Sequence, residues 1–262
     1  MDAAKNVSEL FDLTGKTALI TGSSKGIGRA IAERMAELGA SVVVSSRKLD
    51  VCETVVEGIR GKGGTATAIA CNINDKAQLQ RLVDQSRDAF GKIDILVANA
   101  AVNPYFGPIQ EIPDSAFDKI LGANIRSNHW LSQMVIPEMA ERKDGVVIII
   151  SSIGGLFGSK ELGAYAISKA ADMQMARNLA VEWGPKNVRV NCIAPGLIRT
   201  DFAKALWDDP EIYGRTVKRA PLHRIGEPDE IAGMAVYLSS RAGSFTTGQT
   251  LCVDGGVTIG EG

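Results

Sequence analysis

Short apolar runs alternate along the chain with segments whose apolar residues recur at helical spacing. The run Thr17-Ala18-Leu19-Ile20 ends near Gly22, and Ile27, Ala30, Ile31, Met35 and Leu38 then follow the period of one helix face before Gly39 stops it. Ser41-Val42-Val43-Val44-Ser45 predicts a second strand, and a polar helix over about 50–60 is closed by Gly61, Gly63 and Gly64. Thr67 to Ala70 reads as a third strand. Asp75 opens a helix whose buried face is Leu79, Leu82, Val83 and Phe90, and Ile93 to Val97 is a fourth strand. A long helix is expected over about 114–140, bent or ended by Pro137. Beyond it come a strand at 146–150, a helix at about 164–183, a strand at 188–193, a helix at about 227–239 and a strand at 251–253.

Seven apolar runs separated by helices predict an α/β fold with a parallel sheet covered on both faces. Right-handed crossovers make that sheet doubly wound, with ligands across the carboxyl ends of its strands. No linker divides the chain, so residues 14–262 are expected to form one domain behind an N-terminal arm at 1–13. The longest irregular stretch, about 195–222, has the length of a binding loop, and a substrate lid is expected at about 196–222.

Composition narrows the function classes. The 262 residues are 45% apolar and 23% charged, with a net charge of −1, so no broad basic field invites nucleic acid or an anionic membrane. The apolar runs are far shorter than the ~20 residues of a membrane span. The N-terminal residues lack the layout of a secretory signal and the C-terminal ones do not form a peroxisomal address, so the expected location is the cytoplasm. Cys52, Cys71, Cys192 and Cys252 form no CxxC pair and are expected to be small buried hydrophobes. His129 and His223 are isolated, and no metal site is expected.

Gly22, Gly26 and Gly28 lie between the first strand and the first helix, in Thr21-Gly22-Ser23-Ser24-Lys25-Gly26-Ile27-Gly28. Glycines there let the backbone turn tightly and approach a pyrophosphate, which the helix N-terminus then attracts. Ser24 adds a hydroxyl donor. The strand before and the helix after make this a dinucleotide cradle rather than an ordinary turn. An NAD site usually places an acid at the end of the second strand, whereas this chain has Ser45-Ser46-Arg47-Lys48. Arg47 can clamp a 2′-phosphate, Lys25 can approach the same group, and the expected cofactor is NADP(H).

Tyr165 and Lys169 share one helix face, one turn apart, and Ser152 stands thirteen residues before Tyr165 at the end of an apolar run. A free phenol, with a pKa of about 10, exchanges protons poorly near neutrality. A neighbouring ammonium and an oxidised nicotinamide ring both favour phenolate. Tyr165 then suits proton exchange with a carbonyl or alcohol oxygen that Ser152 orients.

With these motifs in this order, residues 14 to 256 resemble the short-chain dehydrogenases/reductases, which implies a Rossmann-type fold and hydride transfer between a nicotinamide cofactor and a carbonyl or alcohol. The family tetrad falls on Asn124, Ser152, Tyr165 and Lys169. The resemblance alone gives Asn124 a role, holding a water that links Lys169 to solvent, and gives Lys169 a hydrogen bond to the nicotinamide ribose. It places Asn99 and Ala100 at the cofactor, in Asn99-Ala100-Ala101 where the family usually has Asn-Ala-Gly. It adds Pro195, Gly196, Ile198 and Thr200 beside the nicotinamide, and Asn72 with Ile73 near the adenine, where the family more often has Asp. Val44 to Lys48, Asn99 to Gly107 and Cys192 to Ile198 look most like the NADP-dependent carbonyl/retinal reductases. That likeness implies a homotetramer.

A pocket lined by Ile153, Gly154, Phe157, Tyr105, Leu197, Phe202, Leu206 and Trp207 would be apolar and aromatic, favouring a hydrophobic ketone, aldehyde or diketone. Arg199 and Lys204 lie on the lid. A 3-oxoacyl-thioester reductase is the alternative, with Arg126 and Lys160 as rim residues for an acyl carrier or coenzyme A. A sugar or polyol dehydrogenase suits the apolar lid less well. A dinucleotide-sensing scaffold is the non-enzyme reading, against which the intact Ser152, Tyr165 and Lys169 set argues.

Overall fold

Continuous apolar runs make strands here because both faces of the sheet are covered. The computed structural model describes residues 6–260. A short helix α1 (Val7–Phe11) precedes β1 (Thr17–Thr21), α2 (Gly26–Glu37), β2 (Ser41–Ser46), α3 (Leu49–Gly61), β3 (Thr65–Ala70), α4 (Lys76–Phe90) and β4 (Ile95–Ala98). Then come α5 (Asp114–Leu121), a π-helical turn (Gly122–Arg126), α6 (Ser127–Arg142), β5 (Gly145–Ile150), α7 (Gly163–Trp183) and β6 (Val188–Pro195). Last are α8 (Lys204–Trp207), α9 (Pro210–Arg219), α10 (Pro228–Ser239) and β7 (Thr250–Val253).

The strands form one parallel seven-stranded sheet in the order β3-β2-β1-β4-β5-β6-β7, a single Rossmann-type doubly wound domain as the sequence pattern predicts. Alternate residues of each strand feed opposite layers. Ala18, Ile20, Val42, Val44, Ile148 and Ile150 pack with α2, α3 and α10. Leu19, Val43, Val147 and Ile149 pack with α4, α6 and α7. The strand order reverses between β1 and β4, so a crevice opens where their carboxyl ends diverge, at Thr21 and Ala98.

Four expectations need amendment. Pro137 neither ends nor divides its helix, because α6 runs on to Arg142. Pro137 and Gln133, four residues before it, are both exposed, so water reaches the carbonyl that the proline leaves unbonded. The expected long helix is broken earlier, by the π-helical turn. The stretch 195–222 is only partly irregular: Asp209 caps α9 through its side chain, and α8 precedes it. Cys252 is exposed, because β7 is the last strand of the sheet, while Cys52, Cys71 and Cys192 are buried thiols. Of the expected arm, residues 1–5 lie outside the described residues. Asn6 caps α1, and Leu13 is buried in the core.

Candidate active site

The glycine turn occupies the switch-point crevice. Gly22 has φ +65°, and a Cβ there would stand 2.9 Å from Ala100 Cα and Asn99 Nδ2. At Gly28 a Cβ would meet Asn99 Nδ2 and the Gly22 carbonyl at 2.5 Å, so only glycine lets α2 start this close to β1 and β4. Asn99 donates from Nδ2 to the Thr21 and Gly22 carbonyls, and the Asn99 and Ala100 N–H groups donate to Thr21 Oγ1. These residues thus brace the turn. Lys25 precedes α2 without a side-chain cap, so the first N–H groups of the helix are left to an anion. Ser24 lies in the turn half-buried, and Ile27 packs on the core beneath it.

Arg47 stands exposed just past β2, with no acidic partner among the described residues. Ser46 beside it has Oγ 3.1 Å from Cys52 Sγ. Lys25 is paired at 3.2 Å with Asp201, in the segment that follows β6. Both side chains are largely exposed, so that pair is weak and readily exchanged for a phosphate. Asn72 accepts the Asn74 N–H in a local turn, and Ile73 packs against the core.

Ser152 ends the segment after β5, and its Oγ accepts the Gly154 N–H at 3.0 Å. A Cβ built on Gly154 would be 3.3 Å from Ser152 Oγ and 3.9 Å from Tyr165 Cε1, so the structure brings serine and tyrosine together around one point. Lys169 lies below, fully buried, with Nζ 5.7 Å from the centre of the Tyr165 ring. Its ammonium donates to the Ile150 carbonyl at 2.9 Å and to Asp172 Oδ2 at 3.1 Å. Burial works against that charge, but the Asp172 carboxylate, joined by the Tyr165 oxygen once it is phenolate, outweighs it and holds the ammonium's pKa above the ordinary lysine value.

Asn124 sits in the π-helical turn, fully buried. Its Oδ1 accepts the Val102 N–H at 2.8 Å, and its Nδ2 donates to the Val102 carbonyl and to Ser168 Oγ at 3.0 Å each. The side chain therefore fixes the loop after β4 against α7. Sequence reasoning missed Asn128 and Asp172, which join at 3.0 Å one turn further along the same two helices. The signal was legible as two pairs of polar residues four apart, Asn124 with Asn128 and Ser168 with Asp172.

Pro195 ends β6, and Gly196 lies against Asp254, where a Cβ would approach within 2.8 Å. Ile198 is buried in the core layer, while Thr200 Cγ2 would be 3.1 Å from a Cβ on Gly26, so the segment after β6 touches the glycine turn. Phe202 is exposed, with its ring centre 6.3 Å from that of Tyr165. Trp207 donates to the Thr200 carbonyl, and Arg199 pairs with Glu227 and lies over the Trp207 ring. Arg199 is thus already engaged. Phe106, Leu156 and Phe157 are exposed apolar groups. Tyr105 donates to the Pro108 carbonyl.

A model of the family described as Enoyl-(Acyl carrier protein) reductase matches residues 22–258. Dehydrogenase/reductase SDR family member 4 of Bos taurus is 43% identical over 93% of this chain and 88% of its own length. The protein of the same name from Homo sapiens is 40% identical over 97% and 91%. Among solved structures, 7α-hydroxysteroid dehydrogenase complexed with NADH and 7-oxo glycochenodeoxycholic acid has a TM-score of 0.92 at 40% identity, covering 96% of this chain and 97% of that one. A gluconate 5-dehydrogenase from Burkholderia cenocepacia J2315 in complex with NADP and tartrate has a TM-score of 0.93 at 31% identity, over 98% and 100%.

Proposed function

Because the chain belongs to the short-chain dehydrogenase/reductase family, we propose that it is an NADP(H)-dependent carbonyl reductase for hydrophobic ketones, diketones or aldehydes. The observation that carries this reading is the convergence of Ser152 and Tyr165 around Gly154, with Lys169 buried beneath. NADPH, when bound, supplies the hydride. The Ser152 hydroxyl holds the substrate oxygen in place. Tyr165 gives that oxygen its proton and is left as phenolate, which the Lys169 ammonium stabilises. In the reverse direction Tyr165 takes the alcohol proton. Asn124 contributes by holding the loop after β4 to α7.

The cradle of Gly22, Gly26 and Gly28 with the uncapped start of α2 fits a pyrophosphate. The choice of NADP rests on this chain's own Arg47, since similar structures carry NADH in one case and NADP in another. A bulky 7-oxo ligand in one such structure accords with exposed Phe202 beside Tyr165 and with the exposed apolar groups Phe106, Leu156 and Phe157 in the segments that follow β4 and β5. A thioester reductase is the second reading, supported by Arg126 and Lys160, which are exposed without an ion-pair partner among the described residues.

The same reading includes a homotetramer in the cytoplasm. Exposed Val181 on α7 and Phe245 before β7 support an assembly face, and three buried thiols suit a reducing compartment. No helix among the described residues is long and apolar enough to cross a membrane. The test follows loss of reduced-nicotinamide absorbance with aryl ketones, α-diketones, retinal-like aldehydes and acetoacetyl thioesters, each with NADPH and with NADH. Turnover of free carbonyls with NADPH is expected. Turnover of thioesters alone would move the enzyme to acyl chemistry, and activity with NADH but not NADPH would refute the role of Arg47.

A further inference from the structure

An aspartate lies where the catalytic helix has no evident structural need of one. Asp172 is three residues beyond Lys169 on α7, and both side chains are buried, with 0% and 2% exposure respectively. The carboxylate is fully committed: Oδ2 accepts from Lys169 Nζ at 3.1 Å, and Oδ1 accepts from Asn128 Nδ2 at 3.0 Å. Asn128 Nδ2 also donates to the Asn124 carbonyl at 2.7 Å. An unbroken chain of side chains thus runs from the Asn124 backbone through Asn128 and Asp172 to Lys169, over the stretch where the family resemblance implies a water.

Stability does not account for the pair. Desolvating two charges costs about as much as their attraction returns, and a well-packed apolar residue in place of such a pair is often as stable. Two of the three ammonium protons go to Ile150 and Asp172, which fixes the nitrogen below the Tyr165 ring. The titratable groups that face Lys169 are Tyr165 and Asp172 on α7 and Cys192 on β6. The α6 side presents the neutral amide of Asn128, and β5 presents a carbonyl. Among the described residues no second carboxylate faces the ammonium.

We propose that Asp172 is a positioning residue of the reaction, whose carboxylate, braced by Asn128, keeps Lys169 charged and fixed beneath Tyr165. This rests on the proposed role of Tyr165 and Lys169. Without Asp172 the buried ammonium loses its counter-ion, gives up its proton, and leaves Tyr165 with no cationic neighbour.

The test is a titration of Tyr165 by phenolate absorbance, taken as the difference between each protein and its Tyr165→Phe counterpart, with no substrate present. Asp172→Asn keeps the shape and removes the charge. Its Tyr165 titration is expected to move up by about one pH unit or more, a tenfold or larger loss of phenolate at a given pH. Asp172→Ser, smaller and equally neutral, carries the same expectation if the asparagine variant does not fold. In a Lys169→Met background the replacement should no longer move the titration upward, since Asp172 acts through the ammonium. An unmoved or downward titration in the single variant would overturn the proposal. Failure of the parent enzyme to turn over any carbonyl is read in a separate assay and bears on the substrate class instead.

Discussion

Two glycines in helices make opposite predictions for the same replacement. Gly28 lies in the first turn of α2, where a Cβ would stand 2.5 Å from both Asn99 Nδ2 and the Gly22 carbonyl. Neither can give way cheaply. One is backbone of the cradle, and the other is an amide that already donates at 2.9 Å and 3.1 Å to the Thr21 and Gly22 carbonyls. Gly28→Ala therefore costs the roughly 1–3 kcal/mol of an overpacked site and pushes the turn into the dinucleotide crevice. Gly58 is exposed within α3, with nothing within 4 Å of its would-be Cβ. There Gly58→Ala gains the roughly 0.5–1 kcal/mol by which alanine exceeds glycine inside a helix. At about 2–4 °C per kcal/mol for a chain near this size, Gly58→Ala should melt about 1–4 °C higher and Gly28→Ala about 2–12 °C lower. Added NADPH should raise the melting temperature of the parent and of Gly58→Ala by equal amounts, and that of Gly28→Ala by much less. The assay is thermal unfolding of each protein with and without NADPH, with dissociation constants from nicotinamide fluorescence. A Gly28→Ala protein with parental stability and parental NADPH affinity would refute the claim that close approach, rather than turn flexibility, requires glycine there.

Tyr165→Phe should lower kcat by about 10²- to 10⁴-fold while NADPH affinity stays within twofold, and undiminished turnover would defeat the assigned proton donor. Arg47→Ala should raise the KM for NADPH by about 10- to 100-fold and leave that for NADH unchanged, as expected for the loss of charge-assisted hydrogen bonds to a 2′-phosphate; equal effects on both cofactors would remove Arg47 from the phosphate site. The Arg224 hydrogen bond and the Glu227 N–H lower the Glu230 pKa from 4.5 to about 2. A depressed carboxylate stabilises the fold above its unfolded value and loses that contribution as pH falls from 4.5 toward 2. The side chain is 41% exposed, so solvent reduces the effect to about 1 kcal/mol or less. Melting temperatures of the parent and Glu230→Gln should accordingly differ at pH 6 and converge by about pH 2, and a gap that persists into acid would assign the effect to packing rather than charge.

What could be read from the chain, and what could not, divides along physical lines. The central strands were the most legible because a parallel sheet buried on both faces demands unbroken apolar runs, and Val42-Val43-Val44 or Ile148-Ile149-Ile150 admits no other reading between glycine-rich turns. The glycine turn was equally plain, since its spacing answers to backbone geometry that only glycine satisfies. The helices α8 and α9 were obscured because α9 is capped by Asp209 and opens on Pro210, punctuation that also marks a turn. Pro137 misled for the opposite reason: tertiary packing of Val135, Ile136, Met139 and Ala140 outweighs one missing hydrogen bond on the wet face. The polar ladder between α6 and α7 was the deepest omission. Its residues lie 44 positions apart in both rungs, Asn124 with Ser168 and Asn128 with Asp172. No local period relates partners that distant. The π-helical turn adds a residue to the helical repeat, so Asn124 and the residues beyond it fall out of phase with the face that the α5 sequence predicts. A buried aspartate beside a buried lysine on one helix was nonetheless a signal in the sequence itself. Two opposite charges three residues apart, Lys169 and Asp172, with Ala170 and Ala171 between them, belong either to a wet surface or to a site. The apolar face that Ala166, Met173 and Ala176 share with them leaves only the second choice.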